Sequence, residues 1–85
     1  MGYCVDYSID AEIQLGSLDK AVARRIMDKV DSTINNPHRF FKRLTAKSEY
    51  KLRVGDYRII AEISDKEHRI LIRALGHRRD VYKKH

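Results

Sequence analysis

Six residues in the second half of the chain are of the types that handle phosphate. Lys51, Arg53 and Arg58 flank a Gly55-Asp56 pair, and Arg78, Arg79 and Tyr82 follow Gly76-His77. Arginine and lysine neutralise phosphate oxygens and the extra negative charge gathered in a phosphoryl transition state. Opening a phosphodiester without a metal by attack of a neighbouring 2′-hydroxyl sets three tasks: deprotonating that hydroxyl, stabilising the phosphorane, and protonating the leaving 5′-oxygen. The cations suit the second task. Lysine and tyrosine titrate near ~10 in water, so Lys51 and Tyr82 suit the proton transfers only where surrounding positive charge favours their deprotonated forms. His77 beside a phosphate could serve as a proton donor. Each residue also has an ordinary explanation: a surface tyrosine close to a chain end, an idle exposed histidine, or an arginine solvated or paired with Asp56, Glu62 or Glu49.

The group is more telling than its members. A two-residue Gly55-Asp56 loop, glycine first as a type II′ turn prefers, pairs Val54 with Tyr57, Arg53 with Arg58, Leu52 with Ile59 and Lys51 with Ile60. Opposed residues share a face, so Lys51, Arg53 and Arg58 project together while Tyr50, Leu52, Val54, Tyr57, Ile59, Ala61 and Ile63 form an apolar reverse. Like charges set directly opposite destabilise a sheet, and a polyanion would relieve them.

Other chemistries lack a foothold. Cys4, His38, His68, His77 and His85 have no metal-ligand spacing, no glycine-rich phosphate loop is present, and no nucleophile sits in a strand-turn-helix context; no metal and no cofactor are expected.

These side chains must be positioned by one small domain, residues 1–85. Its 18 lysines and arginines against 12 acids give a net charge of +6, which points to nucleic acid or an acidic protein as partner. A single cysteine, Cys4, fits a reducing compartment and reads as a buried small hydrophobe on a first strand. No apolar run reaches membrane-spanning length and no signal peptide is evident, so a cytoplasmic protein without membrane contact is expected.

Alternation of Tyr3, Val5 and Tyr7 with polar partners predicts a strand over residues 1–8. A helix is expected over 8–15, with Ser8 or Asp10 as N-cap and Ile9, Ile13 and Leu15 as its apolar residues, stopped at Gly16-Ser17. Leu18, Val22, Ile26, Val30 and Ile34 recur at four-residue steps and predict an amphipathic helix capped by Ser17 and ended by Asn35-Asn36-Pro37. Residues 37–48 read as a loop whose Phe40-Phe41 close the core, with a short strand possible near Leu44. Gly16, Gly55 and Gly76 read as turn or helix-stop residues, and residues 69–75 as a central strand. The resulting fold class is α+β, order βααβββ: an N-terminal strand and a helical hairpin packed on one face of a small, antiparallel-rich sheet.

The runs Tyr50-Lys51-Leu52-Arg53-Val54-Gly55-Asp56-Tyr57-Arg58-Ile59-Ile60 and Leu75-Gly76-His77-Arg78-Arg79-Asp80-Val81-Tyr82 resemble the RelE branch of the RelE/ParE toxin superfamily. The resemblance implies a RelE-like fold and a small basic toxin of a type II toxin-antitoxin pair, a ribosome-dependent endoribonuclease that cuts mRNA in the A site. The 2′-hydroxyl attack would leave a 2′,3′-cyclic phosphate. It matches Lys51 to an active-site lysine, Arg58 and Arg78 to phosphate-contacting arginines, and Tyr82 to a tyrosine that stacks on or orients the substrate base. Arg53, between the matched residues in the motif, and Arg79 and His77, beside Arg78, are expected as further RNA or phosphate contacts. Glu49 stands where some relatives place a second lysine, and the tail from Arg78 to Tyr82 is shorter than in some. A RelB-like antitoxin, in a heterotetramer, is the implied partner, with the ribosome and mRNA. Two rivals share these features: a ParE-like toxin that inhibits DNA gyrase, and a plain RNA-binding module.

Overall fold

The computed structural model describes residues 2–44 and 48–77. Eight elements follow in order: β1 (Cys4–Tyr7), α1 (Ile9–Gly16), α2 (Lys20–Asp31), α3 (Pro37–Phe40), β2 (Lys42–Arg43), β3 (Tyr50–Val54), β4 (Tyr57–Ser64) and β5 (Arg69–His77). They build a five-stranded sheet of order β1-β5-β4-β3-β2, antiparallel except for the parallel β1–β5 pair. The expected α+β architecture is met, with α3 added in the stretch read as a loop and β2 next to Leu44, the place of the possible short strand.

The β3–β4 hairpin has the expected register, Val54 opposite Tyr57 and Arg53 opposite Arg58. Gly55 adopts φ of 59°, whereas Asp56 does not take positive φ, the signature of a type II′ rather than a type I′ turn. The requirement for glycine there is the positive φ, since the nearest atom to a Cβ, an Arg25 guanidinium nitrogen at 2.9 Å, is the free end of a flexible side chain that can move aside.

Helix α1 starts at Ser8, whose Oγ accepts from the Ala11 amide. Its buried residue is Ala11, while Ile9 and Ile13 are 76 % and 66 % exposed, so the small residue rather than the two isoleucines meets the sheet. Ser17 belongs to the end of α1: its amide bonds that helix's last carbonyls, and Asp19 takes the N-cap place of α2. Helix α2 buries Ile26 and Val30 as the periodicity requires but stops at Asp31, short of Ile34. There the hydroxyls of Ser32 and Thr33 donate to the Lys29 and Val30 carbonyls, offering the backbone an alternative to another turn.

Between α1–α2 and the sheet lies one core of Ala11, Ile26, Val30, Phe41, Leu52, Val54, Ile59, Ala61, Ile70, Ile72 and Leu75. Of the Phe40-Phe41 pair only Phe41 closes it; Phe40 remains 36 % exposed. Cys4 is exposed, because alternation sends Val5 and Tyr7 to the core and Cys4 to the other side of the strand. Gly76 is neither turn nor helix stop but a strand residue opposite Arg58.

One irregularity sets the far end of β5. Ile60 pairs with Ala74 but Ala61 pairs with Ile72, so Arg73 is an extra, bulged residue. Core positions are even-numbered before the bulge, Ile70 and Ile72, and odd-numbered after it, Leu75. The bulge explains why residues 69–75 alternate so weakly in sequence.

Candidate functional site

Lys51 and Arg58 come from strands whose other face is core, and pairing carries the pattern one strand further. Lys42 on β2 lies opposite Lys51 on β3, and Arg53 opposite Arg58 on β4. Opposed residues share a face, so Lys42, Lys51, Arg53 and Arg58 stand together on the side of the sheet away from α1 and α2. Arg53 is exposed and its Nε donates to the Gly55 carbonyl at 3.3 Å, holding it near the turn. Arg58 is only 8 % exposed. Its neighbour across β5 is Gly76, which has no side chain to fill the adjoining space. A small apolar group of Ile60 and Ala74, with Leu44 against it, continues this face beside Lys51.

These cations border a hollow of about 410 Å³. Its wall is completed by Lys29 from α2, Arg39 and Phe40 from α3, and Leu52. Of the eight described residues that line it, six are cationic and none is acidic. Ion pairs between described residues join Arg69 with Asp6, Arg73 with Glu62 and His38 with Asp65. The β2–β3–β4 edge gathers cations from three strands on one face, with Glu49 before β3 and Asp56 in the β3–β4 turn as the acids next to them in sequence. The Lys29 ammonium sits 5.2 Å from the centre of the Phe40 ring, a cation–π contact that holds the aromatic at the rim.

Of the residues singled out by sequence, the fold brings Lys51, Arg53 and Arg58 together. His77 is not with them. It lies opposite Tyr57, its ring meeting the Tyr57 ring edge-on at 5.9 Å, on the helix-bearing side of the sheet. Arg78, Arg79 and Tyr82 lie outside the described residues. Lys29, Arg39, Phe40 and Lys42 were not selected by sequence. The one available signal was the Phe40-Phe41-Lys42-Arg43 run, where aromatic and basic residues adjoin; Lys29 had none, since only folding sets α2 beside α3. Among the described residues no three His, Cys, Asp or Glu side chains gather as a metal site.

A separate hydrogen-bonded group occupies the opposite end of β4. Asp65, in the β4–β5 turn, accepts from the Tyr3 hydroxyl at 2.8 Å and meets His38 Nε2 at 2.6 Å. Those contacts, with His38 the larger, hold the Asp65 carboxyl below the usual carboxylate range, and the bond to Asp65 raises Tyr3. The Tyr3 ring stacks on His68 at 4.7 Å.

The family model described as the ParE toxin of the type II toxin-antitoxin system parDE matches residues 5–82. No curated protein matches. Among solved structures, the RelBE2 toxin-antitoxin complex of Mycobacterium tuberculosis has a chain 22 % identical, TM-score 0.83, over 92 % of this chain and 100 % of that one. The archaeal RelE–RelB complex of Pyrococcus horikoshii is 30 % identical, TM-score 0.77, over 92 % and 97 %. The isolated E. coli RelE toxin is 19 % identical, TM-score 0.73, over 96 % and 93 %. With a family match over almost its full length, and a fold shared with RelE toxins, this chain belongs to the RelE/ParE superfamily of type II toxin-antitoxin toxins.

Proposed function

We propose that this toxin is a ribosome-dependent endoribonuclease of the RelE type, cutting mRNA in the A site. The observation that carries the reading is the convergence of Lys51, Arg53 and Arg58 on one face at the hollow, an arrangement suited to a phosphodiester. The 2′-oxygen bonds to phosphorus, the bond from phosphorus to the 5′-oxygen breaks, and the products are a 2′,3′-cyclic phosphate and a 5′-hydroxyl that has gained a proton. Arg58 and Arg78 hold the scissile phosphate and offset the charge of the phosphorane. Lys51 assists activation of the 2′-hydroxyl or stabilises charge, Arg53 and Arg79 contact flanking phosphates, and Tyr82 stacks on the substrate base. His77, on the other side of the sheet, takes no part. The ribosome supplies the strand geometry, in the cytoplasm. Similar chains have been solved in RelB–RelE-type complexes, which supports a RelB-like antitoxin as partner; here it covers the basic surface in a heterotetramer.

Primer extension on a defined message in programmed ribosomes tests this. Wild-type protein is expected to leave discrete cuts within the A-site codon, and Arg58→Ala or Arg78→Ala to reduce them by about 10²- to 10³-fold, the usual cost of removing one transition-state charge partner. Because the matching family description is that of ParE, gyrase inhibition is the second reading. Intact message from a protein that inhibits gyrase supercoiling would replace the first reading with the second.

A further inference from the structure

We propose that Lys29, Arg39, Phe40 and Lys42 form a second, non-cleaving subsite that binds the single-stranded RNA flanking the scissile phosphate. The inference rests on the nuclease reading for the identity of that phosphate, and on its own observations for the rest. Arg39, Phe40 and Lys42 are exposed and line the same hollow as Lys51 and Arg58. A strand whose phosphate lies on Arg58 and Lys51 therefore meets Lys42, directly opposite Lys51, as its next cation, and Arg39 beyond it. Lys42 facing Lys51 is a like-charge pair across a two-residue edge strand, destabilising alone and relieved by a phosphate between them. Phe40 adds what a simple basic patch lacks: an exposed ring among cations, held by Lys29, on which a base can stack. An acidic protein segment would use the cations but gain little from the ring, since among the described lining residues only Phe40 and Leu52 are apolar. Single-stranded RNA uses both.

Binding of uncleavable 2′-O-methyl RNA, read by fluorescence anisotropy across a salt series, separates the two subsites by length. The wild-type protein is expected to bind a dodecamer at least about tenfold more tightly than a dinucleotide, whose single phosphodiester occupies the scissile position and leaves no second phosphate for the flanking subsite. Arg39→Gln combined with Lys42→Gln abolishes that gain and lowers the slope of log affinity against log salt by about 1.4, roughly 0.7 per cation for a single strand. Phe40→Leu weakens the dodecamer by about tenfold and leaves the slope unchanged. Equal weakening of both probes would overturn the proposal, placing these cations at the scissile phosphate. Unaltered RNA binding with weakened affinity for the antitoxin would also overturn it, making the hollow a protein-docking surface. The nuclease reading fails separately: no cuts on programmed ribosomes, with the length-dependent gain and its loss intact, removes the reaction and keeps the subsite.

Discussion

Tyr7 is a residue whose chemistry runs against its surroundings. Its ring packs on the core from β1, and its hydroxyl is buried with no hydrogen-bond partner among the described residues. Burial, and then the charge of Asp31, push its pKa up to about 12. A buried hydroxyl without a partner is a desolvation cost that phenylalanine avoids. Tyr7→Phe is expected to melt at or above the wild-type temperature at neutral pH; a clear fall would mean that the hydroxyl has a partner. The raised pKa also sets a window. The neutral phenol's contribution is fully present below the ordinary value near ~10 and is lost as pH rises toward about 12. Thermal melts between pH 9 and ~12 should show the Phe variant losing less stability than the wild type.

Among the elements, the junction of α1 with β5 matters most for the site, because β5 leads directly into Arg78. Strand β1 ends at Tyr7, opposite Ile72, which leaves the next stretch of β5 without a strand on that side. Helix α1 takes over. The Ser8 amide donates to the Ile72 carbonyl at 2.8 Å, the Ser8 hydroxyl to the Arg73 carbonyl at 2.9 Å, and the amide of Leu75 donates to Gln14 Oε1 at 2.7 Å. Leu75 is 1 % exposed, so its amide has little recourse to water if Gln14 is removed. Gln14→Ala should cost about 1–3 kcal/mol, the penalty of a buried donor left unmatched, and lower the melting temperature by roughly 4–8 °C per kcal/mol in a domain of this size. Gln14→Glu, which keeps the acceptor, should recover most of the loss in the same melt. Equal melting of Gln14→Ala and wild type would assign no stabilising role to this bond.

At the scale of the whole molecule, Asp65 fastens three distant segments: the start of the chain through Tyr3, α3 through His38, and its own turn. Since Asp65 titrates below the usual value in the fold, its contribution is present above the unfolded carboxylate value of about 4 and is lost as pH falls through the folded one. Asp65→Asn should flatten the decline of melting temperature with acid below pH ~4 while leaving the melt near neutrality only modestly changed. An identical acid profile in the two proteins would show that the group does not link these segments.

What the sequence determined by itself was whatever depends on near neighbours in the chain. The Gly55-Asp56 turn fixes the hairpin register, so the shared face of Lys51, Arg53 and Arg58 was legible from alternation alone. The order of strand, helical pair and strands, and the core positions Ile26 and Val30, were legible from their periods. Three outcomes were left to tertiary structure. The bulge at Arg73 shifts the phase of β5 and thereby carries His77 away from the cations; it is visible only when β5 is paired with β4. Ile9 and Ile13 face outward although apolar, because the space above the sheet accepts Ala11. The hollow itself joins Lys29 to Arg39, Lys42 and Arg58, residues up to 29 positions apart whose meeting depends on how α2 and α3 pack at the sheet edge, and local sequence carries no signal for that.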